Sequence, residues 1–365
     1  MALPRDLHPG AWWIWALGLG AAASRTTNPW LLGIILLVAS VTVLLRRTDA
    51  PWAMSFRLYL VIGLFVVCLR VGFRVLFGGG YGDTVLVDLP QLPLPDWAAG
   101  ITLLGPVTLE SLLGGFYDGL RLATVIICVG AANSLANPRR MLAALPPALY
   151  EVGTAVVIAL SLFPQLAESV QRVRRARRLR GDPGRGIGAL RRVVVPVLED
   201  SLERSLALAA SMDARGYGRA GDLPTRHRRL TGVLLIGGLL GLCVGVYALL
   251  DATTPRVLAW PMVAGGLLLA AAGFAGAGRR VRRTRYRPDP WRAPDLMTAA
   301  TGIAVVVLMS LVAGTQPEVA FAVPGTPPSL SVLALLAALL GVVPAFATPE
   351  PVLEAAPDAA LEAVP

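Results

Sequence analysis

Two basic segments of this chain end in the same way, with an arginine followed at once by a glycine. An arginine side chain carries a planar fork of donors that matches a carboxylate, and a neighbouring glycine lets another backbone approach closely. The pattern therefore favours docking into acidic grooves on protein partners. The proposed docking residues are Ala176, Arg178, Arg180 and Gly181 in the first ending, and Asp213, Ala214, Arg215 and Gly216 in the second.

The sequence gives little indication of a catalytic, metal or nucleotide site. The histidines, His8 and His227, lie near no pattern typical of nucleophilic catalysis. The 3 cysteines are far apart in apolar runs, without metal-ligand spacing. The glycines that follow Arg180 precede no Gly-Lys-Ser/Thr sequence, so a phosphate-binding loop is not indicated. We expect no catalytic, metal or cofactor site and therefore no enzyme.

The composition places the chain in the membrane class. Its 365 residues have a mean hydropathy of +0.64 and only 15% charged side chains. All 33 basic residues are arginine, which we attribute to a GC-rich genome and not to mechanism. We expect an all-α membrane protein, a polytopic helical bundle that carries a cytoplasmic pair of long helices.

Apolar runs divide the chain into four regions. We expect transmembrane helices over residues 1–132, a cytoplasmic region over 133–229, further transmembrane helices over 230–347, and a disordered acidic tail over 348–365. The first run, residues 11–23, is short for a span of about 20 residues, so it forms either a tight hairpin with the second run or a re-entrant pair. No cleavable signal peptide is indicated, so we expect this run to be retained.

The polar interval contains two long predicted helices. One runs from Tyr150 to Arg180, and the other, amphipathic, runs from Ile187 to Ala214 with a kink at Pro196. Asp200 and Arg204 are spaced to form an ion pair on the second helix. Because 15 of the 33 arginines lie between residues 172 and 229, the positive-inside rule places this interval in the cytoplasm.

Charged residues also occur in the predicted spans. Asp118 and Arg121 are three residues apart on the fourth run, and we expect them to pair with each other. Such a pair serves either a partner subunit or local helix packing. Arg70 and Arg74 are expected to extend to the membrane interface.

The sequence resembles the T component of energy-coupling-factor transporters, the CbiQ-like family. The resemblance is carried by the segment from Pro196 to Tyr217 and by residues 176–181, where Arg177 stands at a position that is often glutamine. Residues 7–9, 27–30 and 137–142 are also similar to the family. The resemblance covers roughly residues 5 to 250. Members commonly end with one span after the coupling helices, so the role of the spans beyond Leu250 stays open.

The resemblance implies a scaffold in the bacterial cell membrane that is shared by two ATP-binding-cassette ATPases and a substrate-binding membrane subunit. Arg180 and Arg215 would each enter an ATPase groove. Anionic lipids are expected near the arginines, and nucleic acid is not an expected partner. Two alternatives stay open: a stand-alone membrane enzyme or lipid-binding protein that uses the arginine cluster, and a complete permease that binds substrate in its own spans.

Overall fold

The protein is almost entirely helical. The computed structural model describes residues 7–48, 55–77, 82–91, 104–144, 150–181, 187–216, 225–250, 256–278 and 289–349. Among the helices described, 7 are long and apolar enough to cross a membrane. The expected all-α, multi-pass membrane fold is thereby confirmed. Of the tail predicted over residues 348–365, residues 350–365 lie outside the described residues.

The helices follow the apolar runs closely. Their bounds are α1 (Pro9–Ser24), α2 (Pro29–Arg46), α3 (Phe56–Leu76), α4 (Leu109–Leu135), α5 (Pro138–Ala143), α6 (Tyr150–Leu179), α7 (Ile187–Ala214), α8 (Thr225–Leu250), α9 (Arg256–Gly278), α10 (Ala293–Thr315), α11 (Pro317–Ala320), α12 (Val332–Leu339) and α13 (Val343–Ala347). A short antiparallel pair of strands, β1 (Val85–Asp88) and β2 (Pro106–Thr108), lies between α3 and α4 in the chain.

The chain divides into two compact units. Unit 1 comprises residues 1–141 and 288–365, and unit 2 comprises residues 142–287. Unit 1 therefore combines both ends of the chain, and unit 2 is an insertion between them. The helices beyond Leu250, whose role the sequence left open, are shared between the two units.

Several helices of unit 1 begin with a polar residue followed by proline. His8 precedes Pro9, and its Nδ1 accepts a hydrogen bond from the backbone N–H of Gly10 at 3.1 Å. Asn28 caps α2 in the same manner, through the N–H of Trp30 at 3.1 Å. Proline suits the first helical position because that residue needs no N–H donor. The short His-Pro and Asn-Pro sequences are thus helix-start signals.

Helix α1 lies at the centre of unit 1. Trp15 and Leu19 are completely buried, among neighbours from α2, α4 and α10. At 16 residues, α1 is shorter than the helices that qualify as spans. Its burial by protein explains how so short an apolar helix is accommodated.

Helices α1 and α10 approach each other at a pair of glycines. A Cβ atom on Gly18 would overlap the backbone of Gly302, and a Cβ atom on Gly302 would overlap the backbone of Trp15. Small residues allow this close approach, which membrane helices use because lipid provides no hydrophobic drive for their association. The contact joins the two ends of the chain into one bundle.

Polar contacts hold α10 at both of its ends. At its start, the carboxylate of Asp295 accepts hydrogen bonds from the N–H of His8 at 2.6 Å and the N–H of Arg292 at 2.8 Å. Beyond its end, Asn28 donates to the carbonyls of Val319 and Ser329, each at 2.8 Å. The polar residues beside α1 and α2 therefore position segments almost 300 residues away.

The last apolar run is interrupted. Helix α12 passes into a 3₁₀ turn at Leu340–Val342 and then into α13. The indole N–H of Trp15 donates to the carbonyl of Gly341 at 3.0 Å, and Arg46 donates to the carbonyl of Ala345 at 2.8 Å. This part of the chain is therefore a broken helix that donors from α1 and α2 hold in place.

The predicted pair of Asp118 with Arg121 is wrong. Asp118 instead lies 3.6 Å from Arg74 of α3, and Arg121 donates to the carbonyl of Ser24 at the end of α1. Helix packing brings better partners to both side chains than their spacing of three residues offers. The contact joins α3 to α4, and the expectation that Arg74 extends to the membrane interface stays a prediction.

Unit 2 contains two pairs of contacting helices, α6 with α7 and α8 with α9. Glycines line the second pair: a Cβ atom on Gly266 would lie 2.6 Å from the backbone nitrogen of Leu242. The predicted helix over Ile187–Ala214 is confirmed, and it continues through Pro196. The helix expected from Tyr150 is likewise unbroken as far as Leu179.

Replacing Gly302 with leucine should destabilise unit 1 by about 1–3 kcal/mol, because the side chain has no room against the backbone of α1. Thermal unfolding of the detergent-purified protein, followed by size exclusion, measures the loss. Gly314→Leu is the matched control, since no atom lies within 4 Å of the position of its Cβ on the same helix. Equal unfolding temperatures for the two variants would contradict the proposed packing.

Candidate functional site

The two Arg-Gly endings have the same backbone conformation. Helix α6 ends at Leu179, and the N–H of Gly181 donates to the carbonyl of Arg178 at 3.1 Å. Helix α7 ends at Ala214, and the N–H of Gly216 donates to the carbonyl of Asp213 at 2.8 Å. The φ angles of the two glycines are +74° and +73°. Both helices therefore terminate through a left-handed glycine.

Backbone conformation, and not packing, requires glycine at these positions. No atom lies within 4 Å of the place that a Cβ would occupy on Gly181 or Gly216. A left-handed φ costs little for glycine and more for other residues. The chain that follows each glycine, residues 182–186 and 217–224, lies outside the described residues, and so does Tyr217, with which the second motif ends.

All eight residues proposed for docking are exposed. Neither Arg180 nor Arg215 makes an ion pair with another residue of the described chain, so both guanidinium groups are accessible. Leu179, beside Arg180, is 89% exposed. Each helix end thus presents a cation on a fixed backbone, which is the geometry that a docking residue needs.

A polar cluster around Asp200 joins α6 to α7. One carboxylate oxygen of Asp200 accepts from the hydroxyl of Ser169 at 2.7 Å and from Arg172 at 3.1 Å, both on α6. The other oxygen accepts from Arg204 at 3.0 Å, which confirms the predicted ion pair on α7. Ser169 is only 3% exposed. The cluster therefore fixes the two helices that carry the Arg-Gly endings.

The apolar residues of the amphipathic helix α7 differ in their exposure. Val197 is buried, whereas Leu198, Leu202 and Leu206 are exposed, at 53%, 62% and 71%. Asp200, a charged residue of the same helix, contacts Ser169 and Arg172 of α6. The described part of the chain therefore leaves an exposed apolar strip along the helix that ends in Arg215.

Comparison with known proteins decides the family. The family model CbiQ, described as cobalt transport protein, matches residues 2–225, which is more than half of the chain. The chain belongs to the CbiQ family. The resemblance seen in the sequence motifs is thereby confirmed, and the protein is a membrane transport component.

Curated relatives agree with this assignment. The chain is 25% identical to the energy-coupling factor transporter transmembrane protein EcfT of Streptococcus equi, over 54% of this chain and 73% of the relative. It is 30% identical to EcfT 1 of Listeria monocytogenes, over 38% and 58% of the two chains. A third match, to EcfT of Streptococcus thermophilus, is 33% identical over 22% and 33%.

Both Arg-Gly endings lie within the part of the chain that matches the CbiQ family, whereas α9 to α13 lie beyond it. Sequence reasoning identified the endings but missed the roles of Ser169 and Arg172. The only local signal was the acid at Asp200, because its partners on α6 are about 30 residues away. Their contribution becomes evident only when the two helices pack.

The cluster also makes the pairing of α6 with α7 dependent on pH. The hydrogen bond from Ser169, followed by that from Arg204, lowers the pKa of Asp200. A lowered folded-state pKa stabilises the pairing above the ordinary aspartate pKa of about 3.9, and the contribution is lost as pH falls through the lower folded-state value. At neutral pH the Asp200 carboxyl group is therefore ionised.

Asp200→Ala should loosen the α6–α7 pair, because it removes the acceptor shared by Ser169, Arg172 and Arg204. The distance distribution between spin labels at Gln171→Cys and Glu203→Cys, in a cysteine-free background, should broaden at pH 7. Glu199→Ala, an exposed acid on the preceding residue, is the control and should leave the distribution unchanged. The inferred role is disproved if the two variants behave alike.

Proposed function

We propose that this CbiQ-family protein is the membrane scaffold of an energy-coupling-factor importer. In this role, α6 and α7 are coupling helices that dock two cytoplasmic ATP-binding-cassette ATPases, and the scaffold also binds a substrate-capturing membrane subunit. The protein itself hydrolyses no ATP. It lies in the bacterial cell membrane with its coupling region on the cytoplasmic side.

One observation carries this proposal: two consecutive helices end in exposed, chemically identical Arg-Gly termini and are joined by a buried-serine contact to Asp200. Two equal docking points suit two ATPase subunits of similar structure. Each guanidinium offers a fork to a carboxylate in an acidic groove. The exposed strip Leu198, Leu202 and Leu206 supplies apolar surface for the same partners.

The mechanism follows from this geometry. ATP-driven closure of the ATPase dimer changes the separation of the two grooves, and Arg180 and Arg215 transmit that change to α6 and α7. The scaffold thereby moves between two states whose populations depend on nucleotide contacts. Movement of the helices reorients the substrate-capturing subunit in the bilayer.

The cargo belongs to the partner subunit in this proposal. The family description names cobalt transport, and the relatives are named only for the energy-coupling factor. Both a vitamin and a transition-metal ion are compatible as cargo with a scaffold that binds no substrate itself. Identification of the subunits that co-purify from the native host distinguishes these cargo classes.

Anionic lipid is a further partner of the coupling region. Arg174, Arg175 and Arg178 are exposed on α6, close to an apolar segment that qualifies as a membrane span. Clustered arginine beside a span attracts acidic headgroups. Lipid binding by these side chains accompanies ATPase docking. The alternatives, a stand-alone lipid-binding protein or a membrane enzyme, do not explain why two helices end in the same Arg-Gly sequence.

Arg180→Ala and Arg215→Ala should each reduce the amount of ATPase that co-purifies with the protein, by about tenfold or more in the double variant. Truncating one member of an interfacial charge pair costs about 2–5 kcal/mol where the pair is buried in the complex. Arg191→Ala removes an exposed arginine from α7 that belongs to neither ending and is the matched control. Normal assembly and uptake in the double variant would exclude the docking role.

Transport by the isolated scaffold separates the proposal from a complete permease. Proteoliposomes containing this chain and its ATPases, but no other membrane subunit, should take up no radiolabelled cargo. Addition of the co-purified substrate subunit should restore uptake. Uptake without that subunit would establish the permease alternative.

A further inference from the structure

Two arginines of unit 1 lie on a helix that is otherwise suited to lipid. Helix α3 qualifies as a membrane span, and little of it is buried by the rest of the protein. Arg70 and Arg74 are four residues apart on this helix, so their side chains leave from one face. The neighbouring side chains of Leu69 and Phe73 are 43% and 48% exposed. The two guanidinium groups therefore start from an apolar, largely uncovered helix.

Helix α4 fixes the aliphatic stems of both arginines. The end of α3 lies beside the first half of α4: a Cβ atom on Gly115 would lie 2.7 Å from Cγ of Arg74, and a Cβ atom on Gly119 would lie 3.2 Å from Cβ of Arg70. Because the glycines have no side chains, the arginine stems pack on the backbone of α4. Long basic side chains bury their stems in this way while their charged ends stay accessible.

The charges in this part of α3 and α4 do not balance. The carboxylate of Asp118 lies 3.6 Å from Arg74, and Arg121 donates to the uncharged carbonyl of Ser24. Arg70 is exposed and makes no hydrogen bond or ion pair with the described part of the chain. One carboxylate thus stands against three guanidinium groups, which leaves an excess of positive charge at Arg70.

A guanidinium group on a lipid-facing helix needs an anionic or polar partner, because its transfer into hydrocarbon is costly. Arg70 precedes Leu76, the last residue of α3, by less than two turns, which is about 9 Å along the axis at about 1.5 Å per residue. An arginine this close to the end of a span extends its charge towards the headgroups. The phosphate groups of phospholipids are therefore within its reach.

Apolar surface for acyl chains lies beside the two cations. The rings of Phe73 and Phe77 stack with their centroids 5.4 Å apart, and each residue is 48% exposed. A surface that joins guanidinium donors to exposed rings matches a molecule with an anionic head and hydrocarbon chains. This combination favours a lipid over an acidic protein partner, whose carboxylate would match the charged part alone.

We propose that Arg70 and Arg74 form a binding site for an anionic phospholipid at the end of α3. Arg70 donates to the phosphate oxygens, since a guanidinium group suits bidentate contact with phosphate. Arg74 adds a second positive charge, which Asp118 partly offsets. The acyl chains lie along the exposed phenylalanine rings. The site is on different helices from the exposed arginines of α6, and it does not depend on the transport function proposed above.

Photolabelling of the purified full-length chain tests the site. Phosphatidylglycerol with a photoreactive acyl chain, added in detergent micelles below saturation, should label residues 69–77. Arg70→Gln should reduce this labelling about fivefold, the effect expected of one basic residue near anionic lipid. Arg57→Gln removes an exposed arginine at the other end of α3 and is the matched control, which should leave this labelling unchanged. Equal labelling of residues 69–77 in the two variants would overturn the proposal.

Asp118→Asn separates anion binding from a structural defect. Removal of the carboxylate that offsets Arg74 should raise the affinity for phosphatidylglycerol by about two- to fivefold. Damage to the contact between α3 and α4 would lower that affinity instead. Titration of the photoreactive lipid against the variant and the wild-type chain measures the change, and an unchanged or lowered affinity contradicts the proposed site.

Competition distinguishes a lipid headgroup from other sources of the anion. Unlabelled phosphatidylglycerol should abolish the labelling, and phosphatidylcholine, which has no net charge, should compete about fivefold less well. Inorganic phosphate at millimolar concentration should leave the labelling unchanged. Displacement by inorganic phosphate would show a site for soluble anions, and equal competition by phosphatidylcholine would show a merely apolar surface. If the isolated chain is not labelled, but Arg70→Gln prevents a membrane subunit from co-purifying, the surface binds protein. Each of these three results overturns the inference.

Discussion

The backbone crossing of α1 and α10 at Gly18 and Gly302 is the constraint on which the membrane bundle depends. Apolar helices gain no hydrophobic drive by leaving lipid for one another, so close van der Waals contact and buried hydrogen bonds must hold them. The glycines supply the contact, and Asp295 supplies hydrogen bonds at one end of the crossing. Because α1 is thus enclosed, its 16 residues serve as a core helix.

Close contact between two helices also holds α6 against α7, the pair that carries the docking residues, but there the contact is polar. Asp200 collects donors from two helices, and its main contact on α6 is the buried hydroxyl of Ser169. A carboxylate with several charge-assisted hydrogen bonds fixes the geometry of two helices more specifically than apolar contact does. The Arg-Gly endings are consequently held as a pair, while their guanidinium groups stay exposed for partners.

Local sequence signals predicted the helices well and the contacts between them poorly. Apolar runs located the spans to within a few residues, and the Arg-Gly sequences marked true helix ends, because both signals arise within one element. The Asp118–Arg121 pair failed for the opposite reason: its spacing is favourable on an isolated helix, but Arg74 of α3 and the carbonyl of Ser24 are better partners once the helices pack. The spacing of two residues along one helix does not reveal competing partners on neighbouring helices.

The sequence alone determined the membrane class, the family, the helix pair and the residues that end it, since composition, hydrophobic runs and short motifs are properties of the chain itself. Only the tertiary structure decided that α10 to α13 complete the first bundle, that Asp200 joins α6 to α7, and that Arg140 meets Asp289. Each of these depends on residues 28 to about 300 positions apart. Their proximity is set by how helices pack, which no local pattern specifies.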